Sequence, residues 1–138
     1  MTEGDVRFLD TNVLLRYLLR DDEEKAERAL NLLRRLELGT EKVCVSPMVI
    51  FEVVFTLQRR YRVPRQQIRD SVLDILSLRG LELPNKKLYE RALDLYAGQA
   101  ISFADAFHAA YMNSRGIREI YSWDRDFDRI EGITRVQP

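Results

Sequence analysis

Val43-Cys44-Val45-Ser46-Pro47-Met48-Val49-Ile50-Phe51-Glu52-Val53-Val54-Phe55 changes character in its middle. The first three residues form a short apolar run of the kind that makes a strand. Ser46 favours a helix cap, and Pro47 suits the first helical position, where no N–H is needed. A helix is therefore predicted from Pro47 to about Tyr61, unusually apolar at its start. Towards the N-terminus, Val6-Arg7-Phe8-Leu9 reads as another strand, ended by the turn-forming Asp10-Thr11-Asn12. Two helices follow it, Asn12 to Arg20 and Glu23 to Leu36. The second carries Ala26, Leu30, Leu33 and Leu36 on one face and stops at Gly39-Thr40.

Towards the C-terminus the alternation continues. Arg65 to Leu78 repeats apolar residues at helical spacing (Ile68, Val72, Ile75, Leu76), and Gly80 ends it. Leu81-Glu82-Leu83 is a weak strand. Asn85 to Tyr96 is an amphipathic helix, and Ser102 caps a further one from Phe103 to about Ser114, closed by Gly116. Glu119 to Trp123 and Ile133 to Val136 read as the last strands. Strands alternating with helices throughout are the mark of an α/β fold with a mainly parallel sheet. With 138 residues and no linker, the chain is expected to form a single domain, residues 1–138.

Composition narrows the function classes. An apolar fraction of 46% supports a real core. No apolar run approaches the roughly 18 residues of a transmembrane helix, and the acidic N-terminus does not resemble a signal peptide. The single cysteine, Cys44, reads as a small buried hydrophobe. A cytoplasmic location away from membranes is expected. A net charge of zero excludes a strongly basic nucleic-acid coat, but not phosphate binding through metals and a local cluster of cations.

Four acids stand out by placement. Asp10 and Asp124 each follow a predicted strand directly, and the carboxyl ends of strands are where parallel sheets hold ligands. Glu52 lies in an apolar helix segment with no other charge, where desolvation is costly unless the carboxylate is paired or metal-bound. Asp105 opens a helix among Ile101-Ser102-Phe103-Ala104 and Ala106-Phe107. Each has a plainer reading. Asp10 also fits a turn or cap, Glu52 a solvated stripe and Asp124 a loop. Asp105, three residues after Ser102, fits a capping box. One site explains all four placements at once, and it is preferred for that reason. Carboxylates without cysteine or histidine partners make a hard oxygen site, suited to Mg²⁺ or Mn²⁺ rather than zinc. Such an ion can orient a phosphodiester and activate water.

Other candidates rank lower. Asp124-Arg125-Asp126-Phe127-Asp128 has the alternate acids of a calcium loop, but Arg129 occupies the glycine position and Arg135 the closing glutamate position. Which of Asp124, Asp126 and Asp128 completes the site stays open at this level. His108, the only histidine, reads as a packing or surface residue. No glycine-rich phosphate loop and no nucleophile triad is present. Arg16, Arg20, Arg59, Arg60, Arg62, Arg65 and Arg69 crowd the first half and read mostly as solvated helix faces.

Phe8-Leu9-Asp10-Thr11-Asn12, Glu52, Asp105 within Ser-Phe-Ala-Asp-Ala-Phe-His-Ala-Ala, and Ser122-Trp123-Asp124-Arg125-Asp126-Phe127 together resemble the motifs of PIN domains. Length and element order resemble compact VapC-type toxins almost end to end. The resemblance implies a three-layer α/β/α sandwich and a Mg²⁺- or Mn²⁺-dependent endoribonuclease, the toxin of a type II toxin–antitoxin pair. It also implies an RNA substrate, a homodimer and a cognate antitoxin. Carried over, Asp10, Glu52, Asp105 and Asp124 are the catalytic and metal-binding acids, with Thr11, Asn12 and Ser122 as polar support. Asp126 matches a recurrent family acid of structural role. A PIN-like nuclease of RNA processing, and a non-catalytic binding module, are the alternatives.

Overall fold

In the computed structural model, which describes residues 6–138, every strand pairing among the described residues is parallel. The chain divides into two compact units, the first ending at Pro84 and the second beginning at Asn85.

The first unit runs β1 (Arg7–Phe8), α1 (Thr11–Leu19), α2 (Glu23–Leu38), β2 (Val43–Cys44), α3 (Pro47–Arg59), α4 (Arg65–Leu76) and β3 (Leu81–Glu82). Its sheet has the order β1-β2-β3. Phe8 pairs with Cys44, and Cys44 with Glu82, so the strands finish level with one another. The Leu9 N–H donates to the Cys44 carbonyl at 2.9 Å and carries the pairing up to Asp10. Asp10 and the start of α3 therefore open at the same edge. Local chemistry sets the helix ends. Asp22 caps α2 by accepting the Lys25 N–H at 3.1 Å. Gly39, at φ +78°, ends it in the left-handed conformation that only glycine adopts without strain. The core is built from the inward faces of these helices, among them Leu14, Leu36, Ile50, Val54 and Ile68. Cys44 is half-buried between buried Val43 and Val45, rather than wholly enclosed as its apolar setting implied.

The second unit runs α5 (Lys86–Gly98), α6 (Phe103–Ser114), β4 (Glu119–Tyr121), a short 3-10 turn (Arg125–Arg129) and β5 (Thr134–Val136). Helix α5 packs along α6. Tyr96 meets Phe103 edge-on, with ring centroids 5.9 Å apart, and Tyr89 meets Phe107 at 5.1 Å. Strands β4 and β5 pair from Glu119 with Thr134 to Tyr121 with Val136. Sequence patterning located all the helices and strands to within a few residues but not the 3-10 turn, whose apolar content is too short to show a period.

Candidate active site

In the second unit, α6 begins where Ser102 supplies a cap: its Oγ accepts the Asp105 N–H at 3.1 Å. That is one half of the expected capping box. The Asp105 carboxyl group bonds instead to the side chains of Asp124 and Ser102. After β4 the parallel pairing with β5 runs one residue further before the chain turns. The Ser122 N–H donates to the Val136 carbonyl at 3.1 Å, and Ser122 Oγ accepts the Asp124 N–H at 2.9 Å. Asp124 Oδ1 then accepts the Asp126 N–H at 2.9 Å, which starts the 3-10 turn, and buried Phe127 anchors it. The outcome is a cluster of three carboxylates. Asp105, Asp124 and Asp126 each present an oxygen within 4.8 Å of the others.

Electrostatics single out Asp105 within this cluster. Burial pushes the Asp105 carboxyl above its ordinary range, and the hydrogen bond and negative charge of Asp124 push it further. The Ser102 hydroxyl and the charge of His108 pull the other way. His108 is exposed, one turn along α6, as a surface histidine should be, yet it acts on Asp105. A Mg²⁺ or Mn²⁺ ion bonds oxygens at about 2.1 Å, so its ligands lie within about 4.2 Å of one another. Little movement separates the three carboxylates from such a set. The donors are all hard oxygens, and they fit the ion that the sequence implied.

Asp128 does not compete for this role. It forms a two-bond pair with Arg135, Nε to Oδ1 at 3.1 Å and Nη2 to Oδ2 at 3.3 Å, while Arg135 Nη1 reaches the Ser122 carbonyl at 3.3 Å. That pair braces the loop carrying Asp124. Asp126, whose motif position implied a structural role, places a carboxylate oxygen within 4.8 Å of those of Asp105 and Asp124. The alternating acids of the loop were the signal for it. Choosing among them needed the turn that puts Asp126 inward and Asp128 towards β5.

The other two sequence candidates belong to the first unit. Asp10 stands at the N-cap position of α1, but its side chain makes no capping bond, so its exposed carboxylate is not consumed by the helix. Thr11 beside it is buried at 5% exposure, and Asn12 is exposed. Glu52 corrects an expectation. Helix α3 buries Val49, Ile50, Val53, Val54 and Leu57, which turns Glu52 outward onto an exposed stripe with Met48 and Phe55. The argument from desolvation therefore falls, because the apolar neighbours in sequence point to the opposite side of the helix. Glu52 keeps its place in the second turn after β2, at the edge where Asp10 lies.

The chain that builds this architecture matches a known class of proteins. The family model for the PIN domain covers residues 7–133, and the chain belongs to that family and has its α/β fold. It is also similar to the VapC ribonuclease of Aquifex aeolicus (strain VF5), at 31% identity over 133 residues, 96% of this chain and 97% of that protein. No helix among the described residues is long and apolar enough to cross a membrane.

Proposed function

We propose that this protein is a metal-dependent endoribonuclease, the toxin of a type II toxin–antitoxin pair, acting as one PIN nuclease domain. The convergence of Asp105, Asp124 and Asp126 carries this reading. Membership of the PIN family and similarity to a VapC ribonuclease support it. Asp10, Glu52, Asp105 and Asp124 are assigned as the catalytic and metal-binding acids, with Asp126 added to them. Bound Mg²⁺ or Mn²⁺ supplies Lewis-acid polarisation of the phosphodiester and a more acidic water.

The chain's own residues prepare that chemistry. Burial and the neighbouring Asp124 disfavour the charged form of Asp105, so this acid gains from a cation beside it. Ser122 fixes the backbone of Asp124, and the Asp128–Arg135 pair holds the loop from below. Thr11 and Asn12 are proposed as polar support around Asp10. A homodimer and a cognate antitoxin that covers the acidic pocket belong to the same proposal.

Cleavage mapping on total RNA tests it. Discrete cuts that need Mg²⁺ or Mn²⁺, vanish in EDTA and are lost in Asp10→Asn and Asp124→Asn are expected. Cleavage undiminished in both variants overturns the assignment. An adjacent small reading frame encoding a DNA-binding antitoxin distinguishes a toxin from a nuclease of RNA processing.

A further inference from the structure

On the second unit lies a groove of about 520 Å³ lined by Asn85, Lys86, Lys87, Leu88, Arg91, Tyr111, Ser114 and Arg115. Four of those residues are cations, and none is an acid. A groove in the first unit holds as many, Arg16, Lys25, Arg28 and Arg35, and in a chain of zero net charge such a concentration needs a reason. Helix stability does not account for it. Lys86 and Lys87 sit in the first turn of α5, which has no acidic residue and no side-chain cap, and cations there oppose the helix dipole. Glu90 favours the charge on Lys86, but the larger effect on that amine is burial. At the far wall, Arg115 donates from Nη1 to the Tyr111 hydroxyl at 2.9 Å, and its guanidinium lies 5.7 Å from the Tyr111 ring centroid. A flat cation–aromatic pair of this kind accepts a stacked base beside a phosphate.

The groove connects to the acid cluster through α6. His108, Tyr111 and Arg115 fall at positions i, i+3 and i+7, one exposed stripe of the helix and its cap. His108 acts on Asp105 at one end of the stripe, and Arg115 lines the groove at the other. At a rise of about 1.5 Å per residue, the ten residues from Asp105 to Arg115 span roughly 15 Å, a stretch that a few nucleotides cover.

We infer that this groove is a second RNA-contacting site, holding the sugar–phosphate backbone of a single strand a few nucleotides from the bond cut at the acid cluster. The inference rests on the ribonuclease reading for its choice of ligand. An acidic peptide shares the charge, but the stripe leading to the acid cluster and the aromatic wall favour RNA.

Fluorescence anisotropy of a labelled, unstructured single-stranded RNA in EDTA measures binding apart from cleavage. Lys87→Glu/Arg91→Glu/Arg115→Glu should weaken binding at least about tenfold and flatten the dependence of log Kd on log salt by about 2, since each phosphate contact on a single strand contributes about 0.7. The charge-neutral Lys87→Gln/Arg91→Gln/Arg115→Gln, checked by circular dichroism, should show the same flattening and guards against misfolding. Wild-type affinity and slope in a folded triple variant overturn the groove, even if Mg²⁺-dependent cleavage persists. Absence of wild-type RNA binding in EDTA overturns it as well. Groove-dependent binding without any cleavage in Mg²⁺ leaves the groove standing and removes the ribonuclease reading.

Discussion

At Asp105, burial and the neighbouring Asp124 carboxyl both raise the affinity for a proton. Its folded-state pKa therefore lies above its unfolded value of about 3.9. The native state binds more protons than the unfolded state between those two values, so stability falls as pH rises through that window, and the penalty persists above it. Asp105→Asn should accordingly raise the melting temperature of the protein in EDTA at neutral pH, with the gain shrinking as pH falls towards the unfolded value. Differential scanning fluorimetry across pH checks this, and a lower melting temperature for the variant at pH 7 contradicts it. Added Mn²⁺ should stabilise the wild type and do so less in Asp105→Asn. Function and stability pull apart at the neighbouring acids too. Asp124→Asn should slow cleavage by on the order of 100-fold, the scale of losing one preorganised group at a charged transition state. Asp128→Asn removes a half-exposed pair worth about 0–1 kcal/mol that braces the loop, and should weaken metal binding much less than Asp126→Asn does. Isothermal titration with Mn²⁺ separates Asp126→Asn, expected to weaken binding, from Asp128→Asn.

Element by element, the site depends on where helices start and stop. Ser102 sets the first turn of α6 and with it the direction of Asp105, so Ser102→Ala should cost about 1 kcal/mol of stability and lower metal affinity together. A purely structural cap would move only the first of these. Gly80 plays a corresponding part before β3. A methyl group there would meet the Glu41 carbonyl oxygen, and the Gly80 N–H donates to the Leu36 carbonyl at 2.8 Å. Gly80→Ala should destabilise by about 1–3 kcal/mol, because backbone and not a flexible side chain has to give way. Urea unfolding measures it. Helices α3 and α6 show how far patterning reaches. Their boundaries followed from Pro47, Ser102 and Gly116, but the outward turn of Glu52 did not, since the apolar run around it hides which face is inside.

For the whole molecule, zero net charge means that attraction to RNA comes from local features and not from a general field. Several of the arginines that crowd the first half of the sequence are engaged locally: Arg16 with Asp21 at 3.3 Å, Arg20 with Glu27 at 3.9 Å, and Arg59 over the Phe55 ring. Cations also share grooves: Arg16, Lys25, Arg28 and Arg35 line one on α1 and α2, and Lys86, Lys87, Arg91 and Arg115 line one on α5 and α6. Removing divalent metal with EDTA should abolish cleavage without unfolding the protein, and Mn²⁺ or Mg²⁺ should restore it. Loss of the far-ultraviolet circular dichroism signal in EDTA would contradict the view that the fold stands on its own core.

The sequence alone determined the alternation of strands and helices, because apolar periodicity and capping residues are local. It also determined that Asp10, Asp105 and Asp124 stand at strand and helix ends, since those ends are written in Thr11-Asn12, Ser102 and Ser122. Tertiary structure decided the rest. It brought Asp126 to Asp105 and Asp124, sent Asp128 to Arg135, exposed Glu52 and gathered four cations into one groove. Each of these depends on contacts between separate elements, or on which face of a helix meets the core, and neither is carried by local pattern.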